Sequence, residues 1–193
     1  MKTSVRRVVA GVQLMAARLQ CRIVSALFKH RRVLVLDIDN TIADSWPTLV
    51  APSVDERQRL STLALLPGMK AHTFDRAQRR GDLVVFLSHR SLRWWLVTWR
   101  WLRAHHMSVS PLCLWCVPGA EHKVELLATL CAHHEVEVWD DLHHLHETGT
   151  AQAYRSVIEA LESLPLEYHG VRDIEAVVAQ AAGSSRSPHR TDE

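Results

Sequence analysis

Val33-Leu34-Val35-Leu36-Asp37-Ile38-Asp39-Asn40-Thr41 decides how this chain folds. The first four residues are an unbroken apolar run, the pattern of a strand buried on both faces of a parallel sheet. The run stops at two aspartates one residue apart. Four further runs are built alike. Residues 83–87 end at Ser88, residues 111–117 read Pro-Leu-Cys-Leu-Trp-Cys-Val, residues 136–139 end at Asp140-Asp141, and residues 166–168 close the series. Helical periodicity over 69–80, 91–105, 121–133 and 150–163 separates them. Strands alternating with helices predict an α/β chain with a doubly wound parallel sheet of about five strands.

With 193 residues, 47% of them apolar, the chain can bury one substantial core, so one main domain over 31–182 is expected. Residues 45–66 have no place in the alternation. They hold Trp46-Pro47 and a polar helical pattern over 54–63, which suits a very small lid and is too short for a large cap domain. Residues 183–193 are polar, contain turn formers and read as a disordered tail.

Residues 1–30 form a basic amphipathic head. Over 5–29, Val8, Val9, Val12, Met15, Ala16, Leu19, Ile23, Ala26 and Leu27 recur at the steps of one N-terminal helix. The formal charge of +2 hides an asymmetry: residues 1–32 carry eight Lys or Arg and no acid, and the remaining 15 basic and 21 acidic side chains leave the body at −6. Three readings of this helix stay open: a helix packed on the domain, an interfacial helix on an anionic membrane surface, and a mitochondrial-type leader. No stretch reaches the roughly 18 apolar residues of a membrane span. Arg18 and Arg22 interrupt any signal-peptide core. Cys21, Cys113, Cys116 and Cys131 are too few and scattered for a disulfide scaffold, and Cys113-Leu-Trp-Cys116 lacks the second pair of a zinc site, so structural thiols in a cytoplasmic setting are expected.

Ligands of an open parallel sheet bind beyond the carboxyl ends of its strands. Those ends deliver Asp37 with Asp39, Ser88, and Asp140 with Asp141. Four carboxylates at one point raise each other's pKa unless a cation neutralises them. Oxygen-only ligation favours Mg²⁺, which keeps several waters and binds through one or two carboxylates plus substrate phosphate.

In this order the segments resemble the four motifs of the haloacid dehalogenase (HAD) superfamily. Residues 35–41 look like its hhhhDxDxT motif, Ser88 like the second motif, Lys123 at a helix start like the third, and Asp140-Asp141 like the fourth. The resemblance spans 32 to about 170 and implies a Rossmann-like HAD fold, small-capped or capless, and a phosphohydrolase. It implies that Asp37 attacks phosphorus to form an aspartyl-phosphate, that Asp39 serves as general acid and base, and that Lys123 offsets charge on Asp37 and the transferring group. Ser88 and backbone amides would hold phosphate oxygens, with Thr41 on the phosphate side orienting the loop and Asp39. His89 and Arg90 would join them, because Ser88-His89-Arg90 followed by Arg93, Thr98, Trp101 and Leu102 resembles capless HAD phosphatases whose arginine reaches toward substrate. Asp37, Asp39 through its backbone carbonyl, and Asp140, supported by Asp141, would ligate Mg²⁺.

Each of these residues singly has a plainer reading: a helix cap, a strand end, a solvated lysine, a turn. Their joint order favours the site. The expected substrate is a phosphorylated small molecule such as a sugar phosphate. Two alternatives stand beside it: a nucleotide or nucleic-acid-end phosphatase, although no single-strand stacking motif is evident and nucleic acid is not the expected partner, and a non-catalytic HAD module recruited to a membrane or partner by its basic helix. Oligomeric state is not set by the sequence. Trp94, Trp95, Trp99 and Trp101 read as a packing face, Trp46 as either a lid gate or local packing, and His143 or His144 as rim residues.

Overall fold

The computed structural model describes residues 2–29, 31–49, 55–144 and 152–184. In chain order it forms α1 (Lys2–Leu27), β1 (Val33–Leu36), β2 (Ala43–Asp44), α2 (Trp46–Leu49), α3 (Glu56–Ser61) and β3 (Ala64–Leu65). A π-helical turn (Ala71–Asp75) then runs into α4 (Arg76–Arg80), followed by β4 (Leu83–Ser88), α5 (Trp95–Ala104), β5 (Leu114–Cys116) and α6 (Glu121–Cys131). The chain continues through β6 (Val136–Trp139), β7 (His143–His144), β8 (Gln152–Ala153), α7 (Arg155–Glu162), β9 (Leu166–His169) and α8 (Val171–Ser184).

The main sheet has the order β5-β4-β1-β6-β9, with every pairing parallel. β1 is central and buried along its whole length, as its continuous apolar run predicts. Alternate residues of β1 feed two cores. Val33 and Val35 join the core formed with α1, α6 and α7, whereas Leu34 and Leu36 join the one formed with α3, α5 and α8. This is a doubly wound α/β fold. The chain leaves β1 for β4 and β5 on one side and returns to β6 and β9 on the other, so strand order reverses between β1 and β6. The crevice at such a reversal is where these sheets bind ligands, and the carboxyl ends flanking it carry Asp37 and Asp140.

Several expected boundaries shift for local reasons. Strand 111–117 shortens to β5 because Ser110 caps a 3₁₀ turn with Pro111 in its first position. The helix expected over 150–163 begins at Arg155, since residues 152–153 pair as β8 with β7 and residues 150–151 lie outside the described residues. Helix α8 was not among the expected elements, although Ile174 and Val177 recur at helical spacing and bury against the second core. Its last residues, Gly183 and Ser184, correct the expected start of the disordered tail. The remainder of that tail lies outside the described residues, as does the part of the polar lid helix before residue 55.

α1 packs on the domain with an unexpected face. Gln13, Ala17, Cys21, Val24 and Ser25 are buried, while Val8, Val12, Met15 and Leu19 point outward. Small residues permit the close approach to α6 and β5. All four cysteines are free, with Cys21, Cys113 and Cys116 buried. Among the described residues, no helix is long and apolar enough to cross a membrane.

One charge sits inside the second core. Glu137 on β6 is 2% exposed and accepts hydrogen bonds from Trp139 Nε1 (2.8 Å), Arg32 Nη2 (3.0 Å) and Arg76 Nη2. Burial by itself would raise its pKa, but these donors hold the carboxyl below its ordinary value. A lowered carboxyl pKa contributes stability above the ordinary glutamate range and loses it as pH falls through the folded-state value. Glu137→Gln is expected to cost about 1–3 kcal/mol at neutral pH. The gap between parent and variant in urea denaturation should close as the medium is acidified below that range.

Candidate active site

The loop after β1 is shaped before any ligand arrives. Asp37 N donates to Trp139 O (2.9 Å), which prolongs the β1–β6 ladder by one bond and fixes the exit of the strand. Ile38 is buried and its carbonyl accepts from the amides of Ile42 and Ala43, so the chain turns sharply between the two aspartates and β2. The turn needs a left-handed residue, and Asn40 supplies it at φ 55°. On the neighbouring strand, Asp140 N donates to His169 O (3.1 Å), its Oδ1 accepts from Leu142 N (3.1 Å), and Tyr168 Oη donates to its carbonyl (3.0 Å). Leu142 is buried at φ 44°, a conformation that costs a leucine about 1–3 kcal/mol and is held by this surrounding network.

Lys123 joins the two loops. From the first turn of α6 its Nζ donates to Asp37 Oδ1 (2.9 Å) and Asp140 Oδ2 (2.6 Å), and all three side chains are buried. Carboxylate oxygens of Asp37, Asp140 and Asp141 lie within 4.8 Å of one another. Burial pushes the Asp37 carboxyl well above the usual carboxylate range; Lys123 opposes that shift, and the neighbouring aspartates reinforce it. Asp140 is raised for the same reasons. Burial would lower Lys123, but its two carboxylate partners outweigh that and raise it. Three buried acids converge here, two of them bonded to the Lys123 ammonium, and like charges this close repel unless a cation joins them. An all-oxygen set in this electrostatic state fits a hard divalent cation.

Asp39 stands apart from that cluster. Its carboxylate is gripped by Arg90 through Nε (2.8 Å) and Nη2 (2.9 Å). Burial would raise the Asp39 carboxyl, yet the Arg90 guanidinium holds it below its ordinary value. The Asp39 side chain is therefore committed to Arg90 in this structure. Arg90 is also bound by Thr98 Oγ1 (3.2 Å) and lies 6.0 Å over the Trp101 ring. It was expected to reach toward substrate; it lines the pocket, but in this structure its fork faces a carboxylate of the protein.

The remaining expected residues divide. Ser88, 1% exposed, ends β4 in the pocket wall and accepts from Arg90 N (3.3 Å). His89 lines the rim with Nε2 2.9 Å from Pro118 O. Thr41 departs from the phosphate side: fully buried, it accepts a hydrogen bond from Asp141 N (3.1 Å) and does not line the pocket. It ties the first loop to the fourth, where its hydroxyl was expected nearer the ligand. Trp46 likewise lines a separate apolar recess against α8 with Leu66, Ile174 and Val178. His143 reaches the pocket rim; the side chain of His144 lies outside the described residues.

These groups surround an open pocket of about 330 Å³. Its far wall comes from α3, where Glu56 and Arg59 line it as an ion pair (2.9 Å), together with Arg93 and Trp94 from the segment after Ser88. Trp101 Nε1 donates to Leu63 O (2.9 Å) and so fastens this lid to α5. Arg59 had no distinguishing signal in the sequence, because an arginine in a short polar helix reads as solvated until the fold turns it inward; Arg93 stood in the pattern after Ser88 but without a role of its own. The floor holds the three aspartates with the Lys123 ammonium beside them, and the walls hold hydroxyls, the Arg59–Glu56 and Arg90–Asp39 pairs, and Arg93. Such a cavity can accept an anion and expose it to an attacking oxygen.

No family model matches the chain, and no curated protein matches it. Among solved structures it is similar to the class C acid phosphatase from Bacillus anthracis, at 12% identity and a TM-score of 0.48, covering 96% of this chain and 91% of that one. A structure of that phosphatase with tungstate bound is similar at 13% identity and a TM-score of 0.46, covering 95% of this chain and 91% of that one.

Cation binding to the three-aspartate cluster is measurable without knowledge of a substrate. Saturating Mg²⁺, at about 100 times its dissociation constant, is expected to add about 2.7 kcal/mol, which for a chain of this size is roughly 5–10 °C in melting temperature. Asp140→Asn should abolish the shift. An unchanged melting curve in the parent would rule out the cation.

Proposed function

We propose that the protein is a Mg²⁺-dependent phosphomonoester hydrolase of the HAD type, with Asp37 as nucleophile and a phosphorylated metabolite as substrate. The observation that carries this reading is the buried Asp37 carboxylate, held by Lys123 beside Asp140 and Asp141 at the floor of an open, cation-walled pocket.

In the first half-reaction, an Asp37 oxygen forms a bond to phosphorus as the bond from phosphorus to the ester oxygen breaks. The departing oxygen takes a proton from Asp39. In the second, water attacks the phosphorus of the aspartyl-phosphate, gives its proton to Asp39, and the acyl–phosphate bond breaks to release phosphate and restore Asp37. Asp37, Asp140 and the Asp39 carbonyl, with Asp141 in support, would hold the Mg²⁺, whose charge neutralises the phosphoryl oxygens and keeps Asp37 ionised. Lys123 counters the same charge from the protein side. Ser88 would donate to a phosphate oxygen.

Arg90 gives this scheme a resting state. Its bidentate pair keeps Asp39 ionised, the form that receives a proton from water. For Asp39 to act as acid toward the leaving group, the arginine must loosen its hold and the carboxylate take up a proton from solvent, and an incoming phosphate is the anion that would compete for the arginine's fork. The described residues of the lid form two short helices and strand β3, which pairs with β2 outside it, and so small a lid suits a substrate with a body larger than its phosphate.

The test is a panel of phosphomonoesters assayed for phosphate release with and without Mg²⁺. The parent should release phosphate in a magnesium-dependent way. Asp37→Asn should lose a thousandfold or more and Asp39→Asn about 10²–10⁴-fold. No magnesium-dependent release across the panel, or full activity in Asp37→Asn, would sink the proposal.

A further inference from the structure

Helix α1 has two unlike faces, and among the described residues nothing covers the outer one. Among the described residues, six of the eight large hydrophobic side chains that are exposed belong to this helix. Val8, Val9, Val12, Met15, Leu19 and Leu27 stand between 49% and 69% exposed. Val8, Val12, Met15 and Leu19 follow one another at steps of three and four residues, which sets them in a line along the helix. A contiguous apolar strip on a soluble surface marks a place where something else binds.

Charge identifies what binds there. Arg7, Arg18 and Arg22 follow at steps of 11 and 4 residues, which places them on one flank of the strip, and Lys29 lies just beyond the end of the helix. All four are exposed, and residues 1–32 contain no acid. Arg18 is paired with Glu125 on α6 (2.6 Å), so the basic charge of the flank rests on Arg7 and Arg22. Packing this face on a second copy of itself would bring two basic flanks together, a repulsive juxtaposition. An anionic lipid surface satisfies both features, since apolar side chains enter the headgroup boundary while arginines and lysine remain among the phosphates. The rest of the chain carries −6, so attraction to such a surface is confined to the helix and its flank.

We infer that the outer face of α1 docks into an anionic lipid surface and holds the domain against it. This inference stands on the helix and is independent of the phosphatase reading. It also places the pocket. Gln13, on the inner side of α1, donates from Nε2 to Arg90 O (3.0 Å) and accepts at Oε1 from Leu92 N (3.3 Å), so the docking helix is fastened to the loop that grips Asp39. A cleft lined by Arg6, Val9, His89, Ser91 and Arg93 runs from the edge of the apolar strip, and the last three of these residues also line the catalytic pocket. The pocket mouth therefore opens beside the docked helix.

Co-sedimentation of the full chain with vesicles tests this directly. The parent should bind vesicles of phosphatidylcholine mixed with phosphatidylglycerol, release them as salt is raised, and bind pure phosphatidylcholine at least about tenfold more weakly. Met15→Glu with Leu19→Glu alters two exposed side chains and should remove binding, with an unchanged circular dichroism spectrum as the control for folding. Arg7→Gln with Arg22→Gln leaves the apolar strip intact and should weaken binding about 25-fold, at roughly fivefold per basic residue. Failure of the parent to bind anionic vesicles would overturn the inference, as would parent-like binding by the Met15/Leu19 variant. A parent that is dimeric in solution, and made monomeric by the Met15/Leu19 variant, would overturn it in favour of a second copy.

Discussion

The contact on which the site depends is the ammonium of Lys123 held between Asp37 and Asp140. It spans the reversal point of the sheet, joining the end of β1 to the end of β6 from a helix that packs beside them. Three buried carboxylates crowd that point, and each carries a desolvation cost that a single cation offsets in part. Everything around the cluster serves to keep it in place at that cost: the backbone bonds on either side of Asp140, the left-handed turns at Asn40 and Leu142, and the hydroxyl of Thr41 pinning one loop to the other. The site is thus preorganised by the fold and unbalanced in charge, a combination that favours a divalent cation and an anionic ligand together.

A second ionic pair of different character lies alongside. Asp39 and Arg90 neutralise each other at close range and leave the cluster to its own electrostatics. Two carboxylates separated by one residue in sequence thereby occupy opposite states, one pushed up by burial and its acidic neighbours, the other held down by an arginine. Environments that drive neighbouring titratable groups apart are the usual basis for assigning distinct chemical roles. The connection from Arg90 through its carbonyl to Gln13 extends this arrangement to α1, so the helix with the exposed apolar strip is mechanically continuous with the site.

Much of this was legible before the fold was known, and the reason is physical. A central strand of a parallel sheet must be apolar on both faces, so Val33-Leu34-Val35-Leu36 announced its position, and polar residues at such strand ends have few uses besides a site. Asp37, Ser88, Lys123 and Asp140 carried this signal in order, and the fold brings them to one pocket. What stayed hidden depended on direction. Periodicity showed that α1 is amphipathic but not which side meets the domain, and small residues such as Ala17 won the packed face over the larger Met15 and Leu19. Thr41, Trp46 and Arg59 lie near the motif or in the lid, where orientation is set by contacts distant in sequence. Two-residue ribbons such as β2–β3 and β7–β8 are too short to show any period.

The most direct measurement is acid quenching of the protein incubated with a phosphomonoester and Mg²⁺, followed by mass spectrometry of the peptide that contains residues 33–41. A magnesium-dependent phosphoryl group on Asp37, absent from Asp37→Asn, is the expected result. Phosphate release with the phosphoryl group on another residue, or undiminished release by Asp37→Asn, would contradict the assignment of Asp37 as the nucleophile.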